Sequence, residues 1–205
     1  LVVAEKISDI EKRLDREKTK KLTLEGQIED LDDQHRYNES RLANAWKAHA
    51  IIQEVALKTQ QNLEFHFSKP VTTALKAVNP NWPEFIAKIT LRRGKTECDL
   101  LLKENDNEQE IMESCGGGVK DVASFALRIA YWALKKNRRT FVLDEPFRNV
   151  SPDLQEVTSD MIKMISEKLN IQIIMISHQE DINVSADKTF INEKIGKTSK
   201  IRIIE

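Results

Sequence analysis

Two adjacent carboxylates, Asp144 and Glu145, follow three apolar residues, Phe141, Val142 and Leu143, and precede Pro146. The apolar run reads as a buried strand, and Pro146 stops its ladder. In an open α/β sheet, ligands bind just beyond the carboxyl ends of the strands. An acidic pair is costly there unless a cation offsets it, and a hydrated magnesium ion beside a nucleotide phosphate is the common arrangement. A strand followed by a solvated acidic turn would look the same in isolation. The near-continuous apolar run 171–177 ends at His178 and reads as a strand of the kind buried in parallel sheets. One crossover helix links the two runs. That topology carries Asp144, Glu145 and His178 to the same sheet edge. A lone histidine at a strand end is usually structural; beside an acidic strand end it points to chemistry on phosphate.

Ser114, Cys115, Gly116, Gly117 and Gly118 precede a helix expected over residues 119–134. Val122, Phe125, Ala126, Ile129, Ala130 and Ala133 line one face of that helix at helical spacing. Consecutive glycines let backbone amides approach an anion, and the helix points its positive end the same way. A flexible lead-in to a buried helix is the competing reading. The triplets 94–96 and 196–198, each Gly-Lys-Thr, resemble the end of a phosphate-binding P-loop. That loop needs a glycine five residues before the Gly-Lys pair, where Ile89 and Ile191 stand instead. Both triplets fall between expected strands and read as hairpin turns, so the sequence holds no P-loop of its own. The basic stretch Lys135, Lys136, Arg138 and Arg139 reads as a solvated helix end.

Residues 1–67 contain no proline and one glycine, Gly26. Ile7, Leu14, Ile28, Leu42, Ala56 and Leu63 fit one core position of a heptad, and Val3, Ile10, Leu24, Leu31, Ala45 and Ile52 the other. A 3.5-residue period held over many turns argues for a coiled coil. Lys21, His35, Asn38 and His49 fall in the same seam, as polar breaks that can fix register. No other segment repeats the pattern, so the partner helix is expected on another chain or upstream. His35, His49 and His66 read as seam or surface residues rather than metal ligands. Ser68, Lys69 and Pro70 predict the end of the helix, followed by a short helix over 71–78. Strands are expected over 85–91 and 97–102, with a turn at 93–95, and residues 103–109 read as a polar turn. Ser151 is positioned to cap a helix that begins at Pro152 and runs to about Leu169. Residues 188–192 and 201–204 form a closing hairpin around Gly196.

The 205 residues carry a formal net charge of -1, so there is no overall basic signature for nucleic acid, and any such contact needs a local patch. Charged residues make up 32% and aromatics 6%, a balance that suits a long solvated helix attached to a small core. Cys98 and Cys115 have no metal-ligand spacing and read as reduced thiols of an intracellular protein. No apolar run is long enough to span a bilayer. The chain begins with Leu rather than Met, which points to a natural start upstream.

The order of parts is coiled-coil helix, hairpin, glycine-rich turn into a helix, acidic strand end, loop, helix, strand, histidine. It resembles the C-terminal half of an ABC-type ATPase of the SMC superfamily. The closest resemblance is to the SbcC kind of DNA double-strand-break repair ATPase, phage-encoded relatives included. It covers nearly the whole chain and is most specific at residues 141–146 and 173–178. It implies an α/β fold: an ABC-ATPase C-terminal lobe with a parallel-sheet core and flanking hairpins over residues 68–205. One long coiled-coil helix over residues 1–67 precedes it.

The resemblance also implies roles. Asp144 matches the Walker B aspartate that supports magnesium. Glu145 matches the carboxylate that polarises the attacking water, and His178 the switch histidine at the γ-phosphate. Residues 147–151 match the D-loop, with Ser151 where the family has aspartate and Asp153 nearby. Residues 114–118 match the ABC signature motif with its serine replaced. One frame puts Gly116 at the serine position with Gly117 and Gly118 as the glycine pair. A frame shifted by one puts Cys115 there, and Ser114 is the nearest hydroxyl. The cofactors implied are ATP and Mg2+. The partners implied are a P-loop half on the same or a separate chain, a second head in a homodimer, an SbcD-type nuclease, and DNA. No membrane is involved, and the expected location is the nucleoid-associated cytoplasm, or the host cytoplasm for a phage protein. An SMC, RecN or RecF relative without a nuclease is a competing enzyme reading. A coiled-coil scaffold with a degenerate nucleotide fold is the non-enzyme alternative. A transporter ATPase fits less well, because such domains carry their P-loop in the same compact unit.

Overall fold

The computed structural model describes residues 2–105, 107–135, 138–196 and 198–204, with residues 2–6 and 195 through their backbone alone. The chain divides into two compact units, Leu1–Lys58 and Thr59–Glu205. The first is helix, its side chains exposed almost throughout from residue 7 onward. Ile10, Leu24, Ile28, Leu31 and Leu42 of the expected seam are all open to solvent. The seam position given to Val3 lies outside the described side chains. Pairs four residues apart, such as Lys21–Glu25 at 3.6 Å and Lys58–Glu54 at 2.6 Å, sit on the solvated surface. Exposed pairs of this kind add a few tenths of a kcal/mol each.

Helix α1 runs from Val2 to Val78 without interruption. The break expected at residues 68–70 does not occur, and Pro70 sits inside the helix. An internal proline costs about 3 kcal/mol. Val71, Leu75 and Val78 on the following turns are almost completely buried. Burial of such side chains contributes about 1.5–3 kcal/mol each, so packing outweighs the proline. Polar side chains of the same helix pair with a strand edge. The Ser68 hydroxyl accepts the Ala87 N–H (2.9 Å), the Thr72 hydroxyl accepts the Phe85 N–H (2.9 Å), and Glu64 accepts the Ile89 N–H (2.7 Å). These bonds satisfy backbone groups that an edge strand would otherwise leave open.

Strands β1 (Glu84–Arg92) and β2 (Lys95–Glu104) form the expected hairpin, in register from Glu84 opposite Lys103 to Arg92 opposite Lys95. Arg93 and Gly94 turn it with φ of 50° and 74°, the positive values a two-residue hairpin turn requires. A third strand, β3 (Asn107–Glu110), pairs antiparallel with β2 in part of the stretch read as a polar turn. Its four residues are all exposed, so no alternation marked it; Asp106 lies outside the described residues. Helix α2 (Ile111–Ser114) is a single turn, and α3 (Gly117–Lys135) begins two residues before its expected start. Lys136 of the basic stretch lies outside the described residues.

Strand β4 (Thr140–Asp144), helix α4 (Pro152–Leu169) and strand β5 (Gln172–Ile176) form the predicted crossover unit. The strands are parallel, from Thr140 opposite Gln172 to Asp144 opposite Ile176. Pro152 opens α4, and Asn170 closes it in the left-handed region (φ 50°), its N–H on the Glu167 carbonyl at 3.3 Å. Ser151 occupies the N-cap position with extended backbone, but its side chain makes no capping bond. Its carbonyl accepts the Leu154 N–H at 2.9 Å instead.

The core is built from α1 residues 71–78, α3, α4, Phe85, Leu102, Leu143, Phe147 and Ile182. The β4–β5 pair is covered on one face only. Leu143 is buried and Ile173 and Met175 half-buried, while Val142 (71%), Ile174 (47%) and Ile176 (55%) are exposed. The sequence read both faces as buried. A two-stranded sheet backed by helices on one side leaves the other face of each apolar run open. Strands β6 (Thr189–Ile195) and β7 (Thr198–Ile204) form the last hairpin, longer than expected, turning at Gly196 (φ 66°). Lys197 of the second Gly-Lys-Thr triplet lies outside the described residues. The fold is thus mixed α/β, with a parallel pair between antiparallel hairpins and a long N-terminal helix.

Candidate functional site

Parallel pairing of β4 with β5 fixes where three of the singled-out side chains emerge. Asp144 is the last residue of β4 and is exposed. Glu145 follows with φ 46°, and its N–H still donates to the Ile176 carbonyl at 2.9 Å. That bond continues the ladder by one residue while the backbone turns left-handed. A non-glycine residue in this region costs about 1 kcal/mol or more, and such residues concentrate at functional sites. The Glu145 side chain is 25% exposed, and its Oε1 lies 3.6 Å from Nε2 of His178, which is itself 93% exposed. That Oε1 is buried and accepts no hydrogen bond among the described residues. A carboxylate oxygen held without a donor keeps its acceptor capacity for a ligand or water.

The loop between β4 and α4 is fastened at four consecutive residues. Phe147 is buried and meets Phe125 of α3 edge-on, with ring centroids 5.3 Å apart. The Arg148 carbonyl accepts from Nε2 of Gln179 at 3.1 Å. The Asn149 N–H donates to Oδ2 of Asp121 at 2.7 Å, and its side-chain amide donates to Oδ1 at 3.3 Å. The Val150 carbonyl accepts from the buried Gln155 at 3.4 Å.

The glycine turn packs on that same loop. A Cβ added to Gly117 would lie 2.4 Å from Cβ of Asn149, and one on Gly118 would lie 3.2 Å from the Asn149 carbonyl oxygen. These two glycines lie inside α3 and let it approach the loop closely. Gly116 is different: nothing lies within 4 Å of an added Cβ. The Ser114 hydroxyl and the Cys115 thiol turn back on their own chain, to the carbonyls of Glu110 (2.8 Å) and Ile111 (3.2 Å). Partial burial pushes the Cys115 thiol up from its ordinary value, and the Lys120 charge opposes that shift.

Asp144, Glu145 and His178 therefore share one sheet edge, and Gly117 and Gly118 share the loop with Asn149 and Val150. Ser114, Cys115 and Ser151 make no described contact with the acidic edge. Sequence reasoning passed over Asp121 and Gln179, and named Asn149 only as part of the loop 147–151. Asp121 and Asn149 are 28 residues apart, and no spacing rule joins them; only the meeting of α3 with the loop does.

Asp144 is an exposed carboxylate at a strand end, the type of single protein ligand that a hydrated Mg2+ ion takes. Mg2+ takes one or two carboxylates and fills its remaining positions with waters and phosphate oxygens, rather than needing a full protein cage. Among the described residues no cluster of three or more His, Cys, Asp or Glu could hold a metal alone. No helix among them is long and apolar enough to cross a membrane.

No family model matches the chain. The DNA double-strand break repair Rad50 ATPase of Saccharolobus solfataricus is 31% identical over 112 residues, 54% of this chain and 13% of that protein. The Rad50 ATPase of Archaeoglobus fulgidus is 26% identical over 123 residues, 58% of this chain and 13% of that protein. The chain thus spans only a small part of the length of the curated relatives it matches. A solved structure described under ATP-driven dimerization and DNA-stimulated activation of SMC ATPases superposes with a TM-score of 0.55 at 18% identity. It covers 74% of this chain and 89% of that one. Over about half its length the chain is thus similar in sequence to Rad50 ATPases, and its fold is similar to that of an SMC ATPase structure.

Proposed function

We propose that this chain supplies the hydrolytic edge of an ATP-gated head in a DNA double-strand-break repair complex of the SbcC kind. The observation that carries the reading is the meeting of Asp144, Glu145 and His178 at the ends of two parallel strands. Residues 68–205 would form the lobe and residues 1–67 one arm of a coiled coil. Asp144 would hold Mg2+ through water, and the ion would neutralise charge on the phosphates. Glu145 would orient the attacking water and take up its proton, and the unpartnered Oε1 supports that role. His178, largely exposed beside it, would reach the γ-phosphate. Residues 114–118 would close over ATP held by a second head, and residues 147–151 would lie along that junction. The P-loop would come from the N-terminal half. A groove of about 390 Å³ lined by Phe65, Pro70, Ala126 and Leu169 supports docking of a nuclease partner of the SbcD type.

The test is Glu145→Gln in protein that includes the P-loop half. Loss of the base should lower ATP turnover by about 100-fold or more while ATP-bound dimers accumulate in size-exclusion runs. Turnover at the parental rate would show that Glu145 is not the base. A second reading, an SMC-like chromosome ATPase without a nuclease, is favoured by the likeness in fold to an SMC ATPase structure. Failure to recruit any nuclease, with ATPase activity intact, would select it.

A further inference from the structure

The loop at residues 147–150 lies against both the glycine turn and the residue that follows His178. From one side Asp121 of α3 holds Asn149 by two bonds, 2.7 and 3.3 Å. From the other side Gln179, next to His178, holds the Arg148 carbonyl at 3.1 Å. Gln179 is itself seated: its N–H donates to the Ser177 hydroxyl (3.1 Å), and its carbonyl accepts from the Asn183 side chain (3.2 Å). Its Oε1 is buried and makes no hydrogen bond among the described residues. The Gln179 side chain is thus committed to the loop through Nε2. On the α3 side, Gly117 and Gly118 leave no room for the loop to move towards the helix. A carboxylate accepting a backbone N–H is among the stronger hydrogen bonds available.

We infer that Asp121 and Gln179 are positioning residues for hydrolysis, clamping loop 147–150 between the glycine turn and the His178 strand end. The inference rests on the ATPase reading above. Neither side chain touches the acidic pair. Both act by fixing the loop that leads out of Glu145 and so the direction of its carboxylate. A displacement of that carboxylate should appear in the chemical step and not in ATP affinity.

The experiment has two arms. In the 205-residue chain, hydrogen–deuterium exchange is followed for Asp121→Ala, Asp121→Asn and Gln179→Ala. The clamp predicts several-fold faster exchange over 147–150 in both alanine variants, unchanged exchange in β1–β2, and near-parental exchange in Asp121→Asn, which keeps an acceptor. Unchanged exchange at 147–150, or a general loosening that Asp121→Asn does not rescue, overturns the clamp. In protein that includes the P-loop half, Asp121→Ala and Gln179→Ala should lower kcat by about tenfold to a hundredfold. KM for ATP should stay within a factor of about two. An unchanged kcat beside faster exchange overturns the positioning role while leaving the ATPase reading intact. A parent protein without turnover overturns the ATPase reading, and the exchange arm then judges the clamp alone.

Discussion

Glu145 leaves the strand by a left-handed step at φ 46°, and that step separates it from Asp144. Two adjacent residues in a regular strand would point to opposite faces of the sheet. Here the ladder bond to Ile176 is kept and the carboxylate is redirected towards His178. The acidic pair and the histidine were legible in the sequence because each ends an apolar run. The left-handed turn was not, since nothing but a following proline distinguishes Glu145 from an ordinary strand end. The glycines divide in a similar way. In sequence Gly116, Gly117 and Gly118 are equivalent candidates for anion contact. In the fold, Gly117 faces the Asn149 side chain, Gly118 faces the Asn149–Val150 backbone, and Gly116 faces open space. Gly117→Ala should therefore destabilise the protein by about 1–3 kcal/mol through overpacking against Asn149. Gly116→Ala should change stability by less than about 0.5 kcal/mol. Urea melts of the two variants check this; equal losses would mean that the close approach at Gly117 is not maintained in solution.

At the scale of elements, the crossover unit β4–α4–β5 was read almost to the residue. Proline at the first position of α4 and an apolar run in each strand gave clear boundaries. The end of α1 was misread for the opposite reason. A proline at position 70 is a strong local stop signal, and burial of Val71, Leu75 and Val78 overrides it from outside the segment. Strand β3 carried no apolar pattern at all, and pairing with β2 alone defines it. The seam of α1 belongs to the same scale. Leu24 and Leu31 are exposed in a unit that contains no second helix, so their apolar surface is available for another helix. Leu24→Lys combined with Leu31→Lys should abolish helix-mediated self-association across a concentration series in analytical ultracentrifugation. A parent chain that stays monomeric throughout, and that no upstream helix captures, would contradict the coiled-coil reading.

For the molecule as a whole, the candidate site is one-sided. Carboxylates, histidine and glycine turn are present, but the sequence holds no P-loop motif to accompany them. Gly94 and Gly196, the only glycines in Gly-Lys-Thr triplets, turn hairpins with φ of 74° and 66°. The 205 residues by themselves should show no ATP turnover above background in a phosphate-release assay. Addition of a P-loop-bearing half should restore it, and turnover by the isolated chain would require a phosphate site that the sequence motifs do not reveal. The expectation rests on the sequence, where Ile89 and Ile191 stand in place of the glycines a P-loop needs. The contacts of Asp121 and Gln179 with loop 147–150 were not legible there, because they join residues 28 and 31 positions apart that only the tertiary fold brings together.

The half-covered parallel pair has a consequence for solubility. Its two strands have no further ladder neighbours among the described residues, and Val142, Ile174 and Ile176 lie bare on one face. Open edges beside exposed apolar residues invite pairing between copies. The 205 residues on their own should therefore self-associate through this face as concentration rises, and Ile174→Lys should suppress it.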